Sequence, residues 1–262
     1  MRKYWFLAKV AFQDRLADRA DFFLEIFGNT VVLLAVIAVW SAAYRGMPSG
    51  RGMIDYTTLL TYLLVGGVLT GFYRRAQGDD INDEIAHGTL SAILTKPISP
   101  SLYWFMRDVA VRMIELPFVI GVVMLISYLF HFRPILTYAP MQVATFVMLA
   151  LVAMLFHYFL FTAVAFLGFW LEQTWGERFV LNVIIEVASG ALIPLTFFPS
   201  PWSDILHILP FGVLVATPVE ALLGIQAGWL PAVWACGWLA LSIVGTQMLL
   251  KRGLRRYAGE GI

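Results

Sequence analysis

Asp79, Asp80, Asp83 and Glu84 stand together in GDDINDEIAHGTLSAILTKPISP, residues 78–100, the most polar stretch of a chain that is otherwise almost continuously apolar. The first three form a DDxxD pattern. Aspartates at i and i+4 share one face of a helix, and three carboxylates can bridge magnesium ions to a diphosphate, the chemistry of membrane prenyl transfer. That chemistry needs a second acidic cluster on a facing helix, and the other pair available is Asp14 with Asp18. The competing reading is a cytosolic helix that docks a partner. Gly78 breaks what precedes it, and Asp79 or Asp80 caps a new helix whose acidic first turn suits the helix dipole. That helix runs to about His87, Gly88 supplies the C-terminal cap, Thr89 to Leu94 form a second short piece, and Lys96 with Pro97 ends it. Ile81, Ile85, Leu90, Ile93 and Leu94 then leave apolar side chains on a polar loop, and a partner is expected to bury them.

Other chemistries lack their parts. The chain has no G-x-x-x-x-G-K-[ST] phosphate loop, no H-E-x-x-H helix, no G-x-S-x-G elbow and no T-V-G-Y-G filter. Its one cysteine, Cys236, lies in an apolar run and allows neither an intramolecular disulfide nor a thiolate metal site. A formal charge of +1, with basic residues scattered along the chain, gives no basic patch for nucleic acid.

The elements that must position the acidic stretch are membrane helices. With 60% hydrophobic and 13% charged residues, the 262-residue chain lies far from a soluble domain, in which about a quarter of residues are charged. A membrane helix needs about 20 predominantly apolar residues. Six stretches qualify: Phe22 to Tyr44, Tyr56 to Tyr73, Val109 to Phe130, Met141 to Leu171, Phe179 to Phe198 and Trp229 to Leu250. With the N-terminus inside, fifteen of the eighteen lysines and arginines fall on the inner segments, leaving Arg45, Arg51 and Arg133 outside. By the positive-inside rule both termini are expected in the cytoplasm, and residues 74–108 with them.

Between the fifth and sixth stretches, residues 193–224 are apolar but broken by Pro194, Pro199, Pro201, Pro210 and Pro218, so they cannot form one continuous span. Two short half-helices dipping into the outer leaflet fit better than a solvated loop. Residues 1–21 mix charge with aromatics, and Trp5, Phe12, Leu16 and Phe23 share one side of a helical wheel; the segment either lies along the inner interface or extends the first span into the cytosol. It lacks the apolar region and cleavage site of a signal peptide. No internal repeat is visible, which counts against a transporter built from inverted repeats.

At this point the chain resembles the membrane subunits of ABC-2 type ATP-binding-cassette exporters. Their mark is a cytosolic turn after the second span with an acidic residue, a Gly-Thr-Leu step and a Leu-x-x-Pro close, which here reads DEIAHGTLSAILTKPIS, Asp83 to Ser99, followed by YWFMRD, Tyr103 to Asp108. The second likeness is SGALIPLTFFPSPWSDILHILPFGVLVATPVEALLG, Ser189 to Gly224, similar to the family's proline-marked extracellular re-entrant segment. The branch most resembled is the compact six-span one associated with drug-like and antibiotic cargo. The resemblance implies one all-α membrane domain over residues 1–262: a connecting helix to residue 21, a six-span core over 22–250 and a cytosolic tail over 251–262. It implies that the turn at about 79–97 is a coupling helix seated in a groove of a separate ATP-binding subunit, with Asp83, Glu84, Ile85, His87, Thr89, Leu90 and Ile93 at the contact. ATP and magnesium would then belong to that partner. A second permease copy or a relative of it is also implied, with the cargo path between the two.

Ionisable residues inside spans are costly and are functional by default. Glu186 lies about 12 Å along a helix from Arg178; it either faces a cationic cargo or bonds to a neighbouring helix. His157 and Tyr158 either line a pathway or make hydrogen bonds between helices. Glu220 belongs at the outer face, near an exit gate, whereas Glu115 near Arg112, and Glu172, Glu177 and Arg178, are expected as interfacial ion pairs. His87 is either a contact or a solvated side chain. A self-contained transporter or channel driven by an ion gradient, with Glu115, Glu186 and Glu220 titrating, is the rival reading from another class. Drugs, lipids and glycolipids suit so apolar a lining equally well.

Overall fold

The structure, a computed structural model, describes residues 19–45, 54–73, 79–95, 99–132, 139–171, 173–225 and 228–259. The N-terminal segment carrying Trp5, Phe12, Asp14, Leu16 and Asp18 lies outside them, as do Lys96, Pro97 and Glu172. Among the described residues the chain is helical throughout, without strands: α1 (Arg19–Arg45), α2 (Tyr56–Tyr73), α3 (Asp79–Ala86), α4 (Leu90–Leu94), α5 (Pro100–Leu129), α6 (Pro140–Ala165), α7 (Trp175–Ala188), α8 (Trp202–Ile208), α9 (Ala216–Leu223) and α10 (Leu230–Gly259). Short 3₁₀ turns follow α6 at Phe166–Phe169 and flank α8 at Leu195–Phe197 and Pro210–Val213.

Among the described residues, five helices are long and apolar enough to cross a membrane: Phe22–Arg45, Tyr56–Tyr73, Pro100–Leu129, Pro140–Phe169 and Leu230–Tyr257. They are the first four and the last of the expected six. The remaining stretch, Phe179 to Phe198, is not one helix. α7 ends at Ala188 after 14 residues, about 21 Å against the roughly 30 Å of a hydrocarbon core. The cause is Gly190, in the left-handed region at φ 86°, with the Tyr62 hydroxyl and Ala216 crowding the place of a side chain. Only glycine turns the chain there, and Pro194 follows before the helix can resume.

Two other boundaries shift. α5 begins at Pro100 rather than near Val109, because proline suits a first helical position and the charges of Arg107, Asp108 and Arg112 are paired. Residues 251–259 are no tail but the last turns of α10, held because Gly253 lies against the Phe169 ring and Tyr257 Oη donates to the Gly88 carbonyl at 2.9 Å. A side chain at 253 would collide with that ring, so glycine sets this close approach.

α6 and α10 lie side by side and run the same way. Gln142, near the start of α6, meets Gly224 just ahead of α10; further along, Thr246 Oγ1 donates to the Phe159 carbonyl (2.9 Å), and Phe169 meets Gly253 and Tyr257. The chain therefore leaves α6 at one end of the bundle and must reach the other end before α10 begins. α7 climbs first, and the following segment is tied high on α1, where Trp40 Nε1 donates to the Leu192 carbonyl (2.9 Å) and Trp40 packs on Phe197. The chain then turns inward. Trp238 Nε1 donates to the Ile208 carbonyl, Leu214 and Val215 are buried, and Val215 packs at Gly66, about 15 Å along α2 from Tyr56. Ala216 N donates to the Ser189 carbonyl, and α9 returns to Gly224.

The main core joins α2, α6 and α9 through Leu59, Tyr62, Leu63, Phe156, Phe161 and Val219, with Leu214 just ahead of α9. A second, separate core lies at one end of the bundle, around Leu90, Trp104, Phe166, Phe169 and Leu250.

Candidate functional site

The second core is where the acidic stretch sits. α3 opens on Asp79 and Asp80, acids where the helix dipole favours them. His87 N donates to the Asp83 carbonyl, and Gly88, at φ 72°, ends the helix in the left-handed conformation. Thr89 Oγ1 and Ser91 Oγ reach back to the Glu84 and Gly88 carbonyls (3.4 and 2.8 Å), which starts α4 without a side-chain cap of its own.

Ile81, Ile85, Leu90 and Ile93 are all buried, Leu90 completely, against Trp104, Ala165, Phe166, Phe169 and Leu250. The expectation that a partner covers these side chains is thus corrected: α5, the end of α6 and the last turns of α10 already do so. Ile85, Leu90 and Ile93 face inward, and the Leu94 side chain lies outside the described residues. The outer surface of the turn is polar instead, with Asp80, Asp83, His87, Thr89, Ser91 and Thr95 exposed.

Charge fastens the turn as firmly as burial. Glu84 accepts from Trp104 Nε1 on Oε2 (2.7 Å) and from Arg107 Nη1 on Oε1 (2.9 Å), while Arg107 Nη2 lies 3.2 Å from Asp80 Oδ2. Charge-assisted bonds of this kind are about twice as strong as neutral ones. On the other side Thr174 Oγ1 donates to Asn82 Oδ1 (2.9 Å), both residues buried, and Gly168 leaves room for that amide. Tyr257 closes the fourth side. The DDxxD acids are thereby split: Asp80 shares Arg107 with Glu84, and Asp83 faces outward.

Deeper along α5, Arg112 is completely buried. Its Nε donates to Asp108 Oδ2 (2.8 Å), its Nη1 to the Phe72 carbonyl at the end of α2 (2.7 Å), and its Nη2 to His157 Nδ1 (3.3 Å). Arg112 is paired with Asp108, one helical turn back, and Glu115 on the same helix is buried as well. His157 is stacked between Tyr73 and Phe161. Tyr158 donates to the Ser101 carbonyl (3.1 Å), joining α6 to the start of α5. Glu220 is fully buried, with Oε2 2.9 Å from His207 Nε2, so it braces α9 against α8. Arg178 is buried, its Nε donating to the Thr174 carbonyl.

Glu186 is half-buried on a gap between α1, α2, α7 and the inward-turned segment, about 80 Å³ in volume. Asn29, Thr70, His157 and Asn182 share its wall with aliphatic side chains such as Leu33, Leu63, Leu192 and Val215. Sequence reasoning named Glu186 and His157 but not the gap that they share, and took Trp104, Arg107 and Asp108 only as part of the YWFMRD motif, although the i, i+4 spacing of Asp108 and Arg112 was a usable signal for their pairing.

Five helices among the described residues that are long and apolar enough to cross a membrane make this a multi-pass membrane protein. The family model for ABC-2 family transporter proteins matches residues 21–261, and the chain belongs to that family. No curated protein matches the chain.

Proposed function

We propose that this chain is the permease subunit of an ATP-driven exporter, and that residues 79–95 form the coupling turn through which a separate ATP-binding subunit moves it. The observation that carries the reading is the two-sided character of the turn. Its inner face is fixed by Trp104, Arg107, Thr174 and Tyr257, whereas its outer face presents Asp80, Asp83, His87, Thr89 and Ser91, with only the small Ala86 and Ala92 exposed among them. A polar surface on a rigid mount transmits a push from a soluble partner instead of absorbing it.

The rest of the reading follows. The parallel course of α6 and α10 supports a sixth crossing, made by α7 with the chain as far as Phe198, so that both termini lie in the cytoplasm of a cell membrane protein. Residues 199–224 then dip from the outer surface and return. Two copies, or one with a related permease, engage two ATP-binding subunits, which hold the ATP and magnesium, and cargo passes between the permeases. Export, rather than uptake, rests on the resemblance of the two motifs.

The test is purification of the tagged chain in mild detergent from its native membrane, alongside the Asp83→Arg, Thr89→Arg double variant. Both positions are exposed, so the fold tolerates the change. The wild type brings down a phosphate-loop subunit in stoichiometric amount, and the variant loses it by about tenfold or more, a coupling of at least about 1.4 kcal/mol. A wild-type chain that purifies alone and transports without ATP overturns the reading.

A further inference from the structure

We propose that His207 and Glu220 together bind one proton, carried on the imidazole, and that this proton ties α8 to α9. Calling that tie an outer gate rests on the permease reading; the binding of the proton does not.

The ring's hydrogen bonds count its protons. His207 Nδ1 lies 2.7 Å from the Ser203 carbonyl oxygen, and Nε2 lies 2.9 Å from Glu220 Oε2. A carbonyl oxygen and a carboxylate only accept, so each ring nitrogen must bring a hydrogen of its own. A neutral imidazole has one such hydrogen, and a ring that donates at both nitrogens is an imidazolium. The carboxylate needs that charge equally. Glu220 is completely buried, and its second oxygen, Oε1, has no hydrogen-bond partner among the described residues. A buried carboxylate without a balancing charge is costly. Between Arg178 and Lys251 the sequence offers no lysine or arginine, and His207 is the one histidine there.

The surroundings agree. α8 holds no buried residue, whereas Thr217, Val219, Glu220 and Leu222 are buried on α9, so the pair fastens an outlying helix to one inside the bundle. The His207 side chain keeps 18% of its exposure against 0% for Glu220, which gives the proton a way in and out. Other ionisable groups on the elements around the pair are few. Asp204, on α8, accepts from the Ser200 hydroxyl (3.0 Å); Tyr62, on α2, is buried and donates to the Gly190 carbonyl (3.1 Å); Glu186, near the end of α7, lines the gap that Leu214 and Val215 also border. α6 carries none before His157, and α10 none before Lys251 apart from the exposed Cys236. Burial pushes the His207 imidazole down, but the Glu220 carboxylate, as hydrogen-bond partner and as charge, pushes it up further, and the Ser203 carbonyl and Asp204 add to that, so it ends above the ordinary histidine value. The tie is then complete below that ordinary value of about 6.5 and is lost as the pH climbs through the raised one.

The test records ring-nitrogen magnetic resonance of the full chain in nanodiscs, its histidines labelled with heavy nitrogen, from acid to alkaline pH. The chain has four histidines, and the signals that His207→Gln lacks belong to His207. The wild type is expected to keep both His207 nitrogens protonated at neutral pH and to lose one proton above the ordinary histidine range. Glu220→Gln is expected to move that loss to lower pH, and Asp204→Asn, at an exposed position, to move it the same way by less. Amide hydrogen exchange over residues 216–223, compared between wild type and His207→Gln at each pH, reads the tie: about tenfold slower in the wild type at neutral pH, and equal once the ring has lost its proton. Gel filtration shows which variants fold; where Glu220→Gln does not, the charge of the wild-type ring and Asp204→Asn carry the test. A ring that is neutral at neutral pH, a titration that the folded variants leave unmoved, or exchange that ignores the charge of the ring overturns the proposal. A chain that titrates in this way but moves nothing with an ATP-binding subunit keeps the proton site and loses the permease reading. One that transports on ATP while its ring stays neutral does the reverse.

Discussion

Replacing Arg112 with methionine is expected to remove most of the folded protein from detergent extracts. The guanidinium is completely buried and serves three partners at once: Asp108 on its own helix, the Phe72 carbonyl that ends α2, and His157 on α6. Methionine fills much of the volume but takes the balancing charge from the buried Asp108 carboxylate and a charged donor from the Phe72 carbonyl. Breaking one partner of a buried ion pair typically costs about 3–5 kcal/mol, a large share of the stability of most domains. Gel filtration of the tagged chain after stepwise heating measures the loss. Adding Asp108→Asn to Arg112→Met is expected to recover part of it, since the double change removes both charges. An Arg112→Met chain that stays monodisperse to the wild-type temperature contradicts this role.

Replacing Glu84 with alanine has the second largest expected effect, and of a different kind. The carboxylate bonds to Trp104 and Arg107, and bonds to charged groups contribute about 1.5–3 kcal/mol each. The four apolar side chains beneath the turn stay buried, so the chain still folds. What loosens is the joint between the turn and α5, the helix that carries both Arg107 and Arg112. In the permease reading, a partner closing on ATP then moves a turn that no longer drags α5 with it. Vesicles containing Glu84→Ala with its ATP-binding partner are expected to hydrolyse ATP at a near-normal rate while transport per ATP falls by about tenfold, roughly 1.4 kcal/mol of lost coupling. Hydrolysis and transport falling together contradict it, since that pattern belongs to lost docking.

Much of this architecture is legible in the sequence because membrane helices are written as long apolar runs. For Tyr56–Tyr73 the expected ends and the observed ones coincide. Helix breaks that depend on one residue's backbone were also legible, as with Gly88 after α3. What local reading missed depends on distant partners. Ile81, Ile85, Leu90 and Ile93 look stranded on a polar loop because the side chains that cover them, Phe166, Phe169 and Leu250, come about 70 to 170 residues later. Residues 251–259 look like a basic tail because nothing local announces that Gly253 will pack on Phe169 and Tyr257 on Gly88. The end of α7 at Ala188 is hidden for the same reason: the crowding at Gly190 comes from Tyr62 and Ala216, on other helices. For Arg112, Asp108 at i−4 was a local choice open to sequence reading, whereas the carbonyl of Phe72, on another helix, was not visible at all.

The most direct test of the coupling turn is site-specific photocrosslinking in intact native membranes. A benzophenone side chain placed singly at His87 or Thr89, both exposed on the outer face of the turn, is compared with one at Trp202, exposed at the far end of the bundle. The account predicts that His87 and Thr89 capture a subunit carrying a phosphate loop, with a yield that changes when ATP is trapped, and that Trp202 captures none of it. Absence of that subunit at both turn positions, or equal capture at Trp202, contradicts the coupling role of residues 79–95.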